Sequence, residues 1–228
     1  MGDEKDIFRK KALERVRNIG RSRSYRIDKT MFGLLRDEVK KRGASSVMLY
    51  YPLPGEVDTV SLIGWLRRRG VGVYLPFMLG KSFILVKYRL PMIKKRFGIY
   101  EPKISGQYRK RKIDMAIVPV VGIDSTFRRV GFGRGMYDRF FEKEKRNIEY
   151  ILFVQRILCV SGCRITDDYD MEADAVASGG VEVVKTDGMD DREVCRLGYA
   201  GRRVLSRLGR GSVSRLNPPL RRRRRSVV

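Results

Sequence analysis

The sequence predicts an α/β fold of three layers, in which helices cover both faces of a mostly parallel, Rossmann-like sheet. Short apolar runs of strand length alternate along the chain with segments whose apolar residues recur at helical spacing. Strands joined through helices run parallel, with right-handed crossovers that bring their C-terminal ends, and the ligands bound there, to one edge. The 228 residues, 43% of them hydrophobic, are enough for one large core and favour one domain with an appendage.

The first half of this domain is predicted to begin with two helices, at 4–18 and 28–42. The apolar positions with helical spacing are Ile7, Ala12 and Val16 in the first helix and Met31, Leu34, Leu35 and Val39 in the second. Gly43 ends the second helix, and 46–51 forms a buried strand up to a proline. A helix is predicted at 58–69. The arginines of its last turn suit the negative end of the helix dipole.

The second half is predicted to be mainly strands. The segment 71–75 is a strand that ends at a proline, and the sequence SFILVKY makes 82–88 a second one. The apolar run at 115–121 forms a central strand, and a helix at 138–149 separates it from a last strand at 150–154. This alternation places the motifs described below at the ends of parallel strands.

The C-terminal part has a different composition. From residue 179 the chain is polar and arginine-rich, and it contains five consecutive arginines at 221–225. We therefore predict a folded domain at 1–178 and a basic tail at 179–228 that is largely disordered, with a short helix within 190–208 and disorder after residue 205. Electrostatics alone would let the arginine run bind a nucleic acid or an acidic membrane surface.

Composition excludes several classes of function. The chain has no histidine, so catalytic triads of the Ser-His-Asp type, Cys-His pairs and ordinary zinc sites have no imidazole. Cys159, Cys163 and Cys195 form no C-x-x-C pair and are expected to be reduced thiols. No apolar run is long enough to cross a bilayer, and 1–15 carries acidic residues where a secretory signal would have an apolar region. These features predict a cytoplasmic protein with no membrane partner.

The segment 118–138, VPVVGIDSTFRRVGFGRGMYD, carries the clearest functional signal. Its alternating glycines remove every second side chain, so backbone N–H groups could face an anion. The neighbouring arginines add positive charge, and the carboxylate of Asp138 is the type of oxygen ligand that Mg²⁺ prefers when it is bound to phosphates. The residue types predict a MgATP site. Glycine spacing alone also fits a plain surface loop, because it is neither the Walker pattern nor the pattern of dinucleotide folds.

The full string resembles the signature of the 5-formyltetrahydrofolate cyclo-ligases, also called methenyltetrahydrofolate synthetases. That signature runs approximately P-x-x-x-F-D and then R-x-G-x-G-x-G-x-Y-D. The matching positions are Pro119, Gly122, Asp124, Arg129, Gly131, Gly133, Gly135, Tyr137 and Asp138. The chain departs from the common pattern at Ile123, at Arg134, where lysine is frequent, and at Met136, where Tyr or Phe is frequent.

Four further segments resemble the family in the family's order, so that the resemblance spans about residues 1–178. They are Lys5 to Arg9, Tyr50 to Thr59, Phe97 to Pro102 and Asp167 to Val176. Taken singly, the first three have plainer interpretations. Lys5 and Arg9 would lie on one face of a basic helix, Glu56 would be a first-turn acid of the helix capped by Asp58 or Thr59, and the aromatic residues would belong to the core.

The resemblance implies an ATP-dependent ligase that closes a ring. Its substrate would be 5-formyltetrahydrofolate, including polyglutamylated forms, and its product 5,10-methenyltetrahydrofolate, with ADP and phosphate released through a phosphorylated formyl intermediate. ATP would be a co-substrate, Mg²⁺ a cofactor and the protein a monomer. The implied ATP-binding residues are Lys5, Arg9, Arg129, Val130, Gly131, Phe132, Gly133, Arg134, Gly135, Met136, Tyr137 and Asp138.

The resemblance also implies the remaining roles at the site. The catalytic residues would be Arg129, Arg134 and Tyr137. The folate would contact Tyr51, Glu56, Phe97, Tyr100 and Tyr137. Asp138 and Asp170 would hold the metal.

The net charge of +24 supports an alternative function, a nucleic-acid-binding protein on the same fold with weak or no catalysis. ATP and folate polyglutamates are also polyanions, so basicity does not separate the two hypotheses. The retained acids do: nucleic-acid binding needs neither Glu56 nor the pair Asp138 and Asp170, and without a metal those carboxylates would repel phosphate. We therefore favour the enzyme.

Overall fold

The computed structural model of the chain describes residues 2–95, 100–102, 112–179 and 181–184. The helices are α1 (Gly2–Arg17), α2 (Arg21–Lys41), α3 (Val60–Arg68) and α4 (Met136–Glu144). The strands are β1 (Ser46–Met48), β2 (Gly72–Leu79), β3 (Ser82–Lys87), β4 (Met92–Lys94), β5 (Tyr100–Pro102), β6 (Met115–Pro119), β7 (Gly122–Ile123), β8 (Arg129–Val130), β9 (Ile151–Gln155), β10 (Ala175–Ser178) and β11 (Val181–Val184).

Seven of these strands form one sheet in the order β11-β10-β9-β6-β1-β2-β3. The five inner strands run parallel, and the two edge strands, β3 and β11, pair antiparallel with their neighbours. Val47 of β1 pairs with Met115 of β6 on one side and with Val73 of β2 on the other. The predicted α/β class with a mostly parallel sheet is confirmed.

Alternate residues of the inner strands pack on opposite faces of the sheet, as the two-residue period of a strand requires. One face packs against α2 and α3 and includes Val47, Leu49, Met115, Ile117, Leu152 and Val154. The other packs against α4 and includes Met48, Ala116, Val118, Ile151 and Phe153. Strands buried on both faces read as continuous apolar runs, which is why 115–121 and 150–154 could be recognised from the sequence.

Several predicted bounds were wrong. The segment 22–26 belongs to α2, which begins at Arg21 and not at residue 28. Strand β2 does not end at Pro76 but continues to Leu79 and forms a hairpin with β3. The proline is tolerated because β2 is paired with β1 only as far as Tyr74, so the edge that faces β1 needs no backbone donor at position 76. Two residues further on, the amide of Met78 donates to the carboxylate of Glu101 (3.0 Å).

Helix α1 packs against β7, which forms a separate two-stranded sheet with β8, through a close contact between Phe8 and Gly122. A Cβ atom on Gly122 would lie 2.6 Å from the Phe8 ring and 2.9 Å from the carbonyl oxygen of Cys159. Ala12, Val121 and Cys159 form a small buried cluster beside this contact. Only glycine at position 122 lets the helix approach this closely, and this approach sets where the cations of α1 point.

Other predictions divide between the described residues and the rest of the chain. No helix in the described part is long and apolar enough to span a membrane. Cys159 is buried and Cys163 exposed, and both are free thiols. Cys195, Phe97, the predicted helix within 190–208 and the disorder predicted after residue 205 lie outside the described residues.

Candidate active site

A cleft of about 250 Å³ opens where β1, β2 and β6 end, at the carboxyl edge that parallel topology predicts. Its walls are mainly apolar, with a few polar groups among them, as is usual for a site that binds a flat organic ligand. The lining residues are Tyr50, Tyr51, Leu53, Glu56, Leu75, Pro76, Met78, Phe83, Tyr100, Pro119, Arg129, Phe132, Arg134, Met136 and Tyr137.

Aromatic side chains form two walls of the cleft. The rings of Tyr51 and Tyr100 lie 4.9 Å apart between centroids, so two of the three tyrosines predicted to contact the ligand are together. Phe83 packs edge-on against Tyr137, at 5.1 Å. Sequence reasoning did not find Phe83, because an aromatic residue on an edge strand looks like ordinary core until the β2–β3 hairpin turns it toward the cleft.

Glu56 reaches the cleft through a sharp turn and not from a helix. Its Oε2 atom accepts a hydrogen bond from the amide of Leu53 (2.7 Å). Burial raises the pKa of the Glu56 carboxyl to about 7, against the lowering effects of that hydrogen bond and of the charge on Arg129. The alternative in which Glu56 is a first-turn acid was wrong: α3 begins at Val60, whose amide is bonded by Asp58 Oδ1 (2.8 Å).

Residues 131–135, here called the glycine loop, contain three glycines, which the structure requires for two different reasons. A Cβ on Gly131 would lie 2.0 Å from Nη2 of Arg129, so only glycine leaves room for that guanidinium. Gly133 (φ +92°) and Gly135 (φ +58°) adopt left-handed backbone conformations that glycine accepts without strain. Gly135 is also the residue from which α4 starts. The loop therefore connects β8 directly to the helix that carries Tyr137 and Asp138.

Arg129 is the most deeply placed cation of the site, with only 4% of its surface exposed. Its Nη2 atom lies 3.8 Å from Oδ2 of Asp138, and its guanidinium carbon lies 5.0 Å from the centre of the Tyr137 ring. Nε and Nη1 are buried and donate to no group among the described residues. Two buried donors without acceptors are costly unless a ligand satisfies them.

A second hollow, of about 560 Å³, lies on the other side of Asp138. Both carboxylates predicted to hold a metal line it, and Asp138 Oδ1 accepts a hydrogen bond from the amide of Met171 (3.4 Å), next to Asp170. The remaining lining residues are Arg128, Phe141, Glu142, Lys145, Arg146, Asp168, Tyr169, Met171 and Glu172.

The two cations predicted on α1 both reach this region. The Lys5 ammonium contacts the carboxylate of Asp170 and lies 3.4 Å from Oδ2 of Asp167. Desolvation acts to lower the pKa of Lys5, but the hydrogen bond and charge of Asp170, together with Asp167 and Tyr169, raise the pKa on balance. Arg9 Nε donates to the carbonyl oxygen of Gly131 (2.6 Å). The i, i+4 pair thus spans the second hollow and the glycine loop.

The donor set suits an ion that is only partly held by protein. In the described residues, no group of three or more acidic, Cys or His side chains could enclose a metal. Five carboxylate residues line the second hollow, and Asp138 and Asp170 are the two that the resemblance assigns to a metal. Asp170 Oδ2 also accepts a hydrogen bond from the amide of Asp167 (2.7 Å). One or two carboxylates together with substrate phosphates and water are what Mg²⁺ takes in phosphoryl-transfer sites.

Two signature or near-signature residues have structural roles. Asp124 is fully buried and accepts hydrogen bonds from the amides of Thr126 (2.9 Å) and Thr166 (3.1 Å), which tie the chain before the glycine loop to the segment before Asp170. Arg139 joins the loop to the β2–β3 turn, since Nε donates to the carbonyl of Lys81 (2.7 Å) and Nη2 to that of Arg134 (2.5 Å). Nothing in the sequence distinguished Arg139 from an ordinary helix-surface arginine.

The fold and the site define the protein as a three-layer α/β protein with an apolar cleft at the carboxyl edge of its sheet and a second hollow beside α4. The sequence model of the 5-formyltetrahydrofolate cyclo-ligase family matches residues 1–177, and the chain belongs to this family.

Curated relatives of the chain have the name of this family. The chain is 34% identical over 108 residues to the 5-formyltetrahydrofolate cyclo-ligase of Haemophilus influenzae, covering 44% of this chain and 58% of the relative. It is 34% identical over 103 residues to the Escherichia coli K12 protein of the same name, covering 42% and 57%. These alignments span a little over half the length of either relative.

Solved structures match a larger part of the chain. The solution structure of Aquifex aeolicus 5,10-methenyltetrahydrofolate synthetase superposes with a TM-score of 0.65 at 27% identity, covering 77% of this chain and 89% of that one. A 5,10-methenyltetrahydrofolate synthetase from Mycoplasma pneumoniae superposes at 0.59 with 18% identity, covering 75% and 96%, and at that identity the likeness concerns the fold alone.

Proposed function

We propose that the protein is a 5-formyltetrahydrofolate cyclo-ligase, which uses ATP to close 5-formyltetrahydrofolate to 5,10-methenyltetrahydrofolate. The observation that carries this proposal is Arg129: it is buried between the apolar cleft and the second hollow, and two of its nitrogen atoms await acceptors. A cation in this place suits a reaction in which one substrate occupies each cavity and negative charge develops between them.

The cleft is suited to the folate. The tyrosine pair Tyr51 and Tyr100 offers ring faces for the flat pterin, and Tyr137 closes the end nearest Arg129. With a pKa near 7, the Glu56 carboxyl is able to accept or donate a hydrogen bond to the pterin near neutral pH. Phe97 was predicted in this group, and its role stays a prediction.

The second hollow and the glycine loop suit the triphosphate. Arg129, Arg134, Lys5 and Arg9 would offset phosphate charge, and the loop backbone would add donors. Mg²⁺ held by Asp138 and Asp170 would neutralise charge on the phosphate oxygens. Lys5 already contacts Asp170, so this ammonium would remain beside the metal-bound phosphates as a second positive charge.

The chemistry then follows in two balanced steps. The formyl oxygen on N5 attacks the γ-phosphorus of ATP, the bond to ADP breaks, and a phosphorylated formyl (iminophosphate) group forms. N10 adds to the activated carbon and loses its proton, and the carbon–oxygen bond breaks, so that phosphate leaves with the former formyl oxygen. Arg129 and Arg134 stabilise the charge on the transferred phosphoryl group, while the apolar walls keep water from the activated carbon.

The direct test is to mix the protein with 5-formyltetrahydrofolate and MgATP and to follow the near-ultraviolet absorption of the methenyl product. We expect the product to accumulate, and Asp138→Ala to abolish it. Asp37→Ala is the matched control, because Asp37 lies on α2 and lines neither cavity. A folded wild-type protein that forms no methenyl product, yet binds nucleic acid tightly at moderate salt, would overturn the proposal in favour of the nucleic-acid alternative.

Four further statements stay predictions. They are the use of polyglutamylated substrate, the monomeric state, the cytoplasmic location and the binding of nucleic acid by the basic tail.

A further inference from the structure

An ion pair behind the cleft connects three separate parts of the fold. Arg156 directly follows β9, and its Nη2 atom lies 2.9 Å from both carboxylate oxygens of Asp28 on α2. The same nitrogen lies 2.6 Å from the backbone carbonyl oxygen of Glu56. Both side chains are mostly buried, at 13% and 20% exposure, and neither lines the cleft.

The pair holds the backbone on both sides of one peptide turn. Arg156 binds the carbonyl of Glu56, and Asp28 Oδ1 accepts from the amide of Asp58 (3.2 Å). Between them Val57 is buried, and its carbonyl accepts from the hydroxyl of Tyr50 (3.0 Å). The segment that carries Glu56 is therefore fixed by side chains of three other elements, although it belongs to no helix or strand itself.

The Glu56 carboxyl points the other way, into the cleft, where charged and titratable groups face it from several elements. Arg129 approaches from β8, Tyr137 from α4 and Tyr50 from the end of β1. Arg156 and Asp28 lie behind the segment, directly after β9 and on α2 respectively. The carboxyl stays in its dry position only while the backbone beneath it is held.

We propose that Arg156 and Asp28 are positioning residues for the folate site: by fixing the Glu56 carbonyl and the Asp58 amide, they hold the Glu56 carboxyl against the cleft wall. They touch neither cavity, so they act through Glu56 and not on a substrate. This inference rests on the proposed function for its kinetic consequences, but its structural part can be tested without catalysis.

The structural test measures the pKa of Glu56 by carbon-13 NMR of labelled glutamate carboxyls, with Glu56→Gln used to assign the signal. In Arg156→Gln the segment is released toward water, and we expect the Glu56 pKa to fall from about 7 toward its ordinary 4.5. Loss of a nearby positive charge without movement would have the opposite effect and raise the pKa. A raised or unchanged value would therefore overturn the proposal.

The matched control is Arg42→Gln, which breaks another partly buried ion pair, with Glu38, and lines neither cavity. It should leave the Glu56 signal in place. If Arg156→Gln does not fold, Arg156→Lys serves instead: it keeps the charge but loses the planar fork, and it should also lower the pKa of Glu56.

The kinetic test compares the two substrates. Asp28→Asn and Arg156→Lys should raise KM for 5-formyltetrahydrofolate on the order of tenfold, as expected for a misplaced contact, with KM for MgATP within about twofold of wild type. An equal loss for both substrates, or the same loss in Arg42→Gln, would show a general structural role and overturn the assignment. A wild-type protein with no turnover refutes the proposed function instead, and the NMR result still decides the positioning role.

Discussion

The Nη2 atom of Arg129 lies 3.8 Å from Oδ2 of Asp138, and this contact forms the wall between the apolar cleft and the second hollow. This distance is longer than that of a normal charge-assisted hydrogen bond, about 2.8 Å, so the two side chains do not form a tight salt bridge. The guanidinium thus keeps donors for a ligand. In the proposed reaction that ligand is the phosphoryl group as it passes from ATP to the formyl oxygen.

Replacing Arg129 should slow the chemical step more than it weakens binding. Arg129→Gln removes a buried charge aimed at the transferred group, and we expect kcat to fall on the order of a hundredfold or more, with smaller changes in either KM. Steady-state kinetics by absorption of the product measures this. Arg36→Gln, on α2 and outside both cavities, is the control. A variant that loses only affinity for folate would contradict this role.

Gly131 should be required for activity more than for folding. An alanine Cβ would lie 2.0 Å from Nη2 of Arg129, so the guanidinium has to move out of the wall. We expect Gly131→Ala to fold, with a thermal midpoint close to wild type, and to lose most activity. Gly33→Ala is the matched control: nothing lies within 4 Å of its new Cβ, so activity should be kept and stability raised by about 0.5–1 kcal/mol. Full activity in Gly131→Ala would show that the position of Arg129 is unimportant.

Gly122→Ala should disturb the proposed nucleotide site from a distance. The new Cβ meets the Phe8 ring at 2.6 Å and the fixed backbone oxygen of Cys159 at 2.9 Å, so α1 has to shift. We expect a loss of about 1–3 kcal/mol in stability, as for other overpacked sites, and a higher KM for MgATP.

The same shift should displace Lys5, which makes the Gly122 prediction testable with a double variant. If α1 carries the effect, Lys5→Ala and Gly122→Ala will be non-additive in KM for MgATP. Strictly additive effects would mean that the two residues act on the nucleotide independently.

Glu56 should make the protein less stable as pH rises. Its pKa is about 7 in the folded protein against an ordinary 4.5, so between these values the folded state keeps a proton that the unfolded chain has released. The free energy of unfolding then falls as pH rises from 4.5 to 7 and is level above. In Glu56→Gln this loss should be smaller by on the order of 1 kcal/mol or more.

Urea unfolding at a series of pH values measures this slope. Glu14→Gln removes an exposed carboxylate of α1 that lines neither cavity and is the control. A Glu56→Gln variant with the wild-type slope would show that Glu56 is not held in a dry position.

The sequence was sufficient for five of the seven strands of the sheet, with β10 and β11 missed, and for much of the site, because these parts depend on local patterns. Apolar runs such as 115–121 mark strands that are buried on both faces, and the glycine loop is recognised through the full motif around it and not through glycine spacing alone. The cleft at the carboxyl edge follows from the parallel topology, whereas Lys5 reaches the site through the contact of α1 with Gly122.

What could not be predicted depends on contacts between distant segments. Phe83 lines the cleft only because β2 continues past Pro76 into a hairpin, and the amide of Met78 is satisfied by Glu101, more than twenty residues away. The pair Arg156 and Asp28 is separated by 128 positions and carries no motif. A long-range ion pair between common residue types leaves no periodic signal in a sequence.

The most direct measurement follows the formyl oxygen. 5-Formyltetrahydrofolate labelled with oxygen-18 in the formyl group is converted with unlabelled MgATP, and the released phosphate is analysed by mass spectrometry. If the two cavities bring the formyl oxygen to the γ-phosphorus across Arg129, each phosphate carries one labelled oxygen. Unlabelled phosphate, formed while the methenyl product appears, would contradict the account.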